Sequence, residues 1–561
     1  MAALKLYLLP VMTNNYKPFY LLIFITALLV SFAGITTDFF TDDQGLYASI
    51  AKSMVHRNDM LQLFSYNRDW LDKPHFPFWA TAISFKLFGI SVWAYRLPAL
   101  LFFLLGLLYT YRFARRFYTK EVALTAVLIL MTAQHILLSN LDVRAEPYLM
   151  TLIIGSLYHI ARYNDKGTFK HLLLAAILTA CAIMTKGVFV IVVIYGGLLG
   201  QFIFQKKFLQ VFYGKWLLLY LLTFIFTLPE FYALYIQFDM HPEKLVFDRH
   251  NVSGIRWFLW DSQFGRFANN GPIKQKASGD VFFFLHTLLW AFLPWCLLFY
   301  YSVYKSIKNI VQKVTLPEYY TLSGGLLLLA LFSLSRFQLP FYTNILFPLF
   351  AIITAPYCFK QLSRAASAFR KMALGLFMIA LPIAIIIIHL YLKPATQLLF
   401  IVDVVVFGLL ATLIYIKVKQ PAYRLFMLTC CSVLFGNFYL STVVFPTIAS
   451  YNGQVAAGKY VNRAKFAGAH VYSVRPANNI FQFYCEKPVD YIPIEELDKI
   501  PANGQAILFV SQPSLDQLNA AHIQFRFIKA FTDYPQENIL PAFINSATRH
   551  KVLSNVYLIS R

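Results

Sequence analysis

Three carboxylates, Asp38, Asp42 and Asp43, stand in TTDFFTDDQGLYASIAK (36–52), directly after FYLLIFITALLVSFAGI (19–35), an uncharged apolar run long enough to cross a bilayer. Asp72 and Lys73 follow in WLDKPHFPFW (70–79), and SNLDVRAEP (139–147) packs Asp142, Arg144 and Glu146 into one short connection. Lys186 lies in MTKGV (184–188). Arg249, His250, Arg256 and Arg266 lie in DRHNVSGIRWFLWDSQFGRF (248–267), and Arg336, Gln338 and Tyr342 in SLSRFQLPFYTN (333–344). Arginine offers a bidentate fork and lysine a compact charge to a phosphate. A carboxylate beside that phosphate suits proton abstraction or orientation of an acceptor.

The elements that must position these residues are membrane spans. Of 561 residues, 58% are hydrophobic and only 13% charged, against about 25% in a soluble protein. Thirteen apolar segments fall near 19–35, 92–113, 121–139, 146–161, 171–185, 188–205, 216–236, 281–303, 319–335, 341–358, 372–392, 397–416 and 425–446. Every even-numbered segment exits into a basic loop, such as Arg112, Arg115, Arg116 and Lys120 after the second or Lys360, Arg364, Arg370 and Lys371 after the tenth. Positive charge marks the cytoplasmic side, so the N-terminus is expected inside and the chain beyond about residue 450 outside. The net charge of +23 reflects that loop bias, and nucleic acid is not an expected partner.

The fold expected is an all-α polytopic membrane protein of about 13 transmembrane helices, with external interfacial helices and a small C-terminal periplasmic α/β domain. Residues 1–450 form the transmembrane domain and 451–561 the periplasmic one. Within the first, 36–91 and 237–280 are large external loops. LYASIAKSMVHRN (46–58) and PFWATAISFKLFG (77–89) are amphipathic and are expected to lie along the membrane interface. In the tail, HVYSVR (470–475), AILFVSQ (506–512) and KVLSNVYLIS (551–560) read as strands, and IEELDKI and SLDQLNAAH as helical. The six cysteines have no metal-type spacing and read as buried side chains, and the first span reads as a retained anchor.

Five external turns thus carry charge to one membrane surface. Isolated charge beside hydrocarbon costs several kcal/mol, roughly, so a shared water-accessible cavity with paired charges and an anionic ligand is the favourable arrangement. Asp42 reads as a cap of the helix that follows, and His250 as a solvated side chain. Glu230 and Asp403, near external span ends, read as structural groups with access to water. Asp142, Arg144 and Glu146 either lock their own turn or support the site.

TDDQGLYASIAKSM, WLDKPHFPFWATAISFKLFG, YRLPALLFFLLGLLYTYRFARRF and TKG resemble the GT-C glycosyltransferases, specifically the bacterial aminoarabinose (lipid A) transferase and protein O-mannosyltransferase-like group, over roughly 36–350. The resemblance implies a GT-C fold and an inverting transfer of a sugar from a polyprenyl (undecaprenyl) phosphate donor. The acceptor at the external face would be lipid A or another envelope glycolipid. It makes Asp43 the essential acid of the first external loop and pairs it with Asp72 as a catalytic carboxylate. It assigns Lys73, Arg266 and Tyr342 to the donor phosphate, with Lys186 and Arg336 as further cations. Gln44 stands where the group has Glu, Asp72 where it has Glu, and Gln338 where Lys is common, with Arg336 two residues earlier. These departures leave a divalent metal open and no other cofactor implied. The implied setting is a monomer in a bacterial inner membrane. A protein acceptor and, from another class, a lipid or solute transporter are the alternatives.

Overall fold

A computed structural model describes residues 16–275, 279–395, 397–475, 478–501, 504–534 and 541–561. All thirteen apolar segments are helical. Seven helices are long and apolar enough to cross a membrane, or eight if a bent pair counts as one, among the described residues. The N-terminus, expected in the cytoplasm, belongs to residues 1–15, outside the described residues.

Local chemistry sets where helices begin and stop. Ser91 caps Val92–Phe117 by accepting from the Ala94 amide, and Arg115 and Arg116 oppose the negative dipole at its end. The segment expected as one span at 121–139 is instead two helices, Lys120–Met131 and Gln134–Leu141, bent by 59°. Thr132 turns its hydroxyl onto the Leu128 carbonyl, and the Gln134 amide leaves the ladder for the Leu293 carbonyl. The segment at 281–303 is likewise divided, into Phe283–Ala291 and Cys296–Val311, where Pro294 removes a donor. Phe169–Lys186 stops at Gly187, whose φ of +113° disfavours any side chain and delivers Lys186 to the helix end.

Aromatic packing fills the centre, with Trp295, Phe292, Phe347 and Phe350 buried together. By contrast Leu376, Ile379, Leu398 and Leu409 on Arg364–Leu392 and Gln397–Lys417 are more than half exposed, an apolar surface suited to lipid. Two acids depart from expectation. Glu230 does not reach water: it is buried against His75, with Nδ1 to Oε1 at 3.0 Å. Asp403 is 1% exposed, and its carboxyl oxygens have no hydrogen-bond partner among the described residues.

The segment after the first apolar helix holds a hairpin of two-residue strands, β1 (Phe64–Ser65) with β2 (Arg68–Asp69), between helices Asp42–Arg57 and Phe76–Phe88. Toward the C-terminus, β3 (His470–Ser473), β4 (Val489–Tyr491), β5 (Ala506–Ser511), β6 (Arg526–Asp533) and β7 (Ser554–Ser560) form a mixed sheet. Its order is β4-β3-β5-β7-β6, with β3 parallel to β4 and β5, and β7 antiparallel to β5 and β6. Apolar clusters cover both faces, around Phe481 and Phe509 on one and Leu508 and Val510 on the other.

Helix Asp42–Arg57 departs most from the expected interfacial position. It is buried under Asn479–Tyr484 so closely that a Cβ on Gly45 would meet the Ile480 amide nitrogen at 2.3 Å. Ser49 Oγ donates to the Asn479 carbonyl at 3.1 Å, and Lys52 Nζ to the Phe483 carbonyl at 3.1 Å. Its cap is not Asp42 but Thr41, in a capping box closed by Gln44. Asp42 instead accepts from the Asn479 amide at 2.9 Å and from its side chain at 2.5 Å. Helix Phe76–Phe88 keeps Ile83, Leu87 and Phe88 largely exposed, as an interfacial helix would.

Candidate active site

The loop after the first hairpin brings Asp72 and Lys73 beneath helix Ser262–Ala268. The Asp72 carboxylate accepts from both Lys73 Nζ and the Arg266 guanidinium. Backbone position there is fixed two residues on, where Glu230 Oε2 accepts from the His75 amide at 3.1 Å and His75 Nε2 faces the Leu61 carbonyl at 2.9 Å. Burial acts to raise the Asp72 carboxyl, but Lys73 and Arg266 outweigh it and hold it below the usual carboxylate range. Burial, with the neighbouring Arg266 charge, lowers the Lys73 ammonium to about 8. For Arg266 burial acts downward, and Asp72 overrides it to keep the guanidinium firmly charged.

Lys186 and Arg266 also border a groove of about 340 Å³ that is otherwise almost wholly apolar, walled by Val188, Phe189, Phe264, Leu331, Phe332 and Tyr342. On the far side of Phe341 and Tyr342 lies a second, polar cavity of about 920 Å³. Its lining includes Asp43, Asp142, Arg144, Glu146, His135 and Asn344, and from the C-terminal segment Gln454, Arg475, Asp533 and Tyr534.

Ion pairs join the two spaces. Lys186 on the groove binds Glu146 on the cavity. Lys186 Nζ lies 4.2 Å from the Tyr342 ring centroid, and the Arg144 guanidinium 4.4 Å from that of Phe341. Arg144 then reaches Asp43 Oδ2 at 2.5 Å and Asp142 Oδ2 at 2.8 Å, while Thr41 Oγ1 donates to Asp142 Oδ1 at 2.7 Å. Burial acts against the Arg144 charge, but Asp142 and Asp43 prevail and raise it. Burial and the neighbouring Asp43 push the Asp42 carboxyl up to about 7, although its Asn479 hydrogen bonds act the other way.

Residues 43, 144, 146, 186 and 342 are thus linked through Phe341 in one run of contacts, and 72, 73 and 266 form a second cluster that meets it at the groove, which Lys186, Arg266 and Tyr342 all line. Asp142 and Arg144 both lock their own turn and line the cavity. Arg336 is not brought in. Its backbone amide binds the Phe267 carbonyl at 2.8 Å, its side chain is exposed, and it lines neither space. Gln338, at the position where Lys is common in the group it resembles, braces Asp280 through its amide and carbonyl at 2.9 Å. Gln44, fully buried, accepts from the Phe40 amide and donates to the Leu141 carbonyl, roles a neutral amide can fill in one side chain.

Four cations (Lys73, Arg144, Lys186, Arg266) stand against four carboxylates (Asp43, Asp72, Asp142, Glu146), so the two clusters together are charge-neutral. Each carboxylate is already matched to a cationic side chain, and no group of three or more His, Cys, Asp or Glu is placed to hold a metal ion among the described residues. Sequence reasoning missed Thr41, Phe341, His135, Asn344 and Arg475. Only Phe341 carried a signal, as the neighbour of Tyr342 in SLSRFQLPFYTN.

The profile of the dolichyl-phosphate-mannose-protein mannosyltransferase family matches residues 72–232. The solved structure of ArnT from Cupriavidus metallidurans bound to undecaprenyl phosphate superposes with a TM-score of 0.71 at 18% identity, covering 96% of this chain and 97% of that one. This chain has the ArnT fold. The undecaprenyl phosphate-α-4-amino-4-deoxy-L-arabinose arabinosyl transferase of Serratia proteamaculans is 23% identical over 411 residues, 70% of each chain. An uncharacterised protein of Aquifex aeolicus is 24% identical over 454 residues, 79% of this chain and 82% of that one. The ArnT-like likeness extends over nearly the whole chain, beyond the 36–350 on which the sequence resemblance rested.

Proposed function

We propose that this chain is an integral-membrane glycosyltransferase that moves a monosaccharide from a polyprenyl phosphate donor to an acceptor at the external face of a bacterial inner membrane. The observation that carries the reading is the junction itself. An apolar groove suited to an isoprenoid tail ends at Lys186 and Arg266, and beyond the Phe341–Tyr342 wall opens a polar cavity lined with carboxylates. The likeness to ArnT and to the mannosyltransferase profile supports the same donor class.

In this reading Lys73, Arg266 and Lys186 hold the donor phosphate, and Asp72 keeps Lys73 and Arg266 together between turnovers. The acceptor oxygen attacks the anomeric carbon from the cavity side and expels polyprenyl phosphate, inverting that centre. The phosphodiester carries one negative charge and the departing monoester two, so the cations bind the developing charge more strongly than the ground state. Asp43 takes the acceptor proton or orients the acceptor, while Arg144 and Glu146 fix the carboxylates around it.

The topology that goes with it has thirteen spans, a cytoplasmic N-terminus, a transmembrane domain over 1–450 with external loops at 36–91 and 237–280, and an external α/β domain over 451–561. The acceptor is lipid A or another envelope glycolipid. The test is transfer by the purified chain in proteoliposomes supplied with undecaprenyl-phosphate-linked sugars and envelope glycolipids. Release of undecaprenyl phosphate with labelled glycolipid supports the reading. Movement of intact donor across the bilayer without bond cleavage would replace it with a transporter.

A further inference from the structure

The polar cavity has a charge of its own. Five carboxyl groups line it, Asp42, Asp43, Asp142, Glu146 and Asp533, of which Asp42, pushed up to about 7, carries only part of a charge at neutral pH, against two guanidiniums, Arg144 and Arg475. Counting Lys186 on the other side of the wall as the partner of Glu146 still leaves four acids and the partly ionised Asp42 against three cations. A phosphate acceptor would enter this cavity beside a donor that is itself anionic, and like charges at such separations repel strongly where water is scarce.

The uncharged part of the lining has a different character. Asn344 is 1% exposed, its Oδ1 faces His135 Nδ1 at 2.8 Å, and its Nδ2 has no hydrogen-bond partner among the described residues. A buried amide donor of this kind, bordering a cavity, offers a hydrogen bond to an oxygen of water or of a ligand there. Trp290 stands edge-on to His135 at 5.2 Å and lines the same cavity with Phe341 and Tyr534, giving apolar faces beside hydrogen-bonding edges. Sugar rings present that combination of hydroxyl edges and C–H faces.

We propose, resting on the glycosyltransferase reading above, that the nucleophile is an uncharged glycan hydroxyl rather than a phosphate oxygen, with Asn344 and His135 reading a sugar hydroxyl in the cavity. In the step, the hydroxyl oxygen bonds to the anomeric carbon as the bond from that carbon to the phosphate ester oxygen breaks. Its electron pair leaves with the phosphate, and the hydroxyl proton passes to Asp43. An alcohol needs that proton removed, which gives the Asp43 carboxylate a task that a phosphate nucleophile would not require.

The experiment supplies full-length protein in proteoliposomes with a panel of labelled undecaprenyl-phosphate sugars and membrane extract as acceptor, then treats the product with mild acid, which cleaves glycosyl phosphates and spares glycosides. Label that survives acid and stays on a glycan supports the proposal. Label lost to acid from a phosphorylated product overturns it and leaves the transferase reading intact, and label on protein overturns the glycan assignment in the same way. No transfer from any donor overturns both. Asn344→Leu is expected to raise the acceptor KM roughly tenfold while undecaprenyl phosphate without sugar still raises the melting temperature as in the parent. An unchanged acceptor KM would remove Asn344 from the site.

Discussion

Lys186 and Glu146 meet where the apolar groove and the polar cavity touch, each side chain at least nine-tenths buried. Lys186 is the last residue of Phe169–Lys186 and Glu146 the first of Glu146–Lys166, so each charge opposes the dipole of its own helix end. The pair ties the groove to the cavity through one contact.

Breaking that pair from one side strands the other charge. Lys186→Met is expected to cost about 3–5 kcal/mol of stability and to abolish transfer. The double variant Lys186→Met/Glu146→Gln should recover most of the stability and none of the transfer. Thermal unfolding in detergent beside a transfer assay separates the two effects. Recovery of activity in the double variant would show the pair to be structural only.

Arg266 is matched to Asp72 and borders the groove, so its removal bears on the leaving phosphate. Arg266→Ala is expected to slow single-turnover transfer roughly 10²–10³-fold, as loss of a preorganised charge partner does elsewhere. Arg266→Lys should recover part of the rate, since it keeps the charge and loses the fork. An Arg266→Ala enzyme with unaltered rate would place the phosphate elsewhere.

Lys73 gives the site an alkaline limit. Burial and Arg266 lower its ammonium to about 8, so donor affinity should fall as pH rises from 7 to 9, and Lys73→Arg should flatten that fall. Stability moves the opposite way. The unfolded lysine holds its proton to its ordinary value of 10.5 while the folded one releases it near 8. The unfolded chain therefore binds more protons between those values, and the Lys73 contribution to stability rises with pH there. Undecaprenyl phosphate binding and melting temperature, measured on one pH series, should diverge above pH 8.

Asp43, Asp72, Lys73, Arg144 and Arg266 were legible because charge beside an apolar span is costly and therefore conspicuous in the sequence. The partners Asn344 and His135 were not, because neutral polar side chains carry no such cost, and theirs meet across 209 positions. The bend at Thr132 has no Pro or Gly to announce it. β4 is only three residues long, and β6 is an edge strand in which Arg526, Lys529, Thr532 and Asp533 interrupt the apolar residues, so neither shows a run like AILFV in β5. The burial of Asp42–Arg57 was hidden for a related reason. Its small residues, Gly45, Ala48, Ser49 and Ala51, suit a lipid surface and a tight protein contact equally.

Gly45 turns that contact into a test. A Cβ there would lie 2.3 Å from the Ile480 amide nitrogen and 2.5 Å from the Asn479 carbonyl carbon, both backbone atoms that no rotamer change can move. Gly45 itself sits in ordinary helical backbone, so Gly45→Ala adds a better helix former and acts only through the clash. The substitution should push Asn479–Tyr484 away, breaking the Asp42–Asn479 bonds and shifting Gln454, Arg475 and Asp533 from the cavity rim. Overpacking of this kind costs about 1–3 kcal/mol, and limited proteolysis should then cut within 451–561 faster than in the parent. Because Lys73, Arg266 and the groove are untouched, undecaprenyl phosphate should bind as before while transfer to the acceptor falls. Equal loss of both would mean that the loop bearing Asp72 and Lys73, and not the cavity alone, depends on the contact.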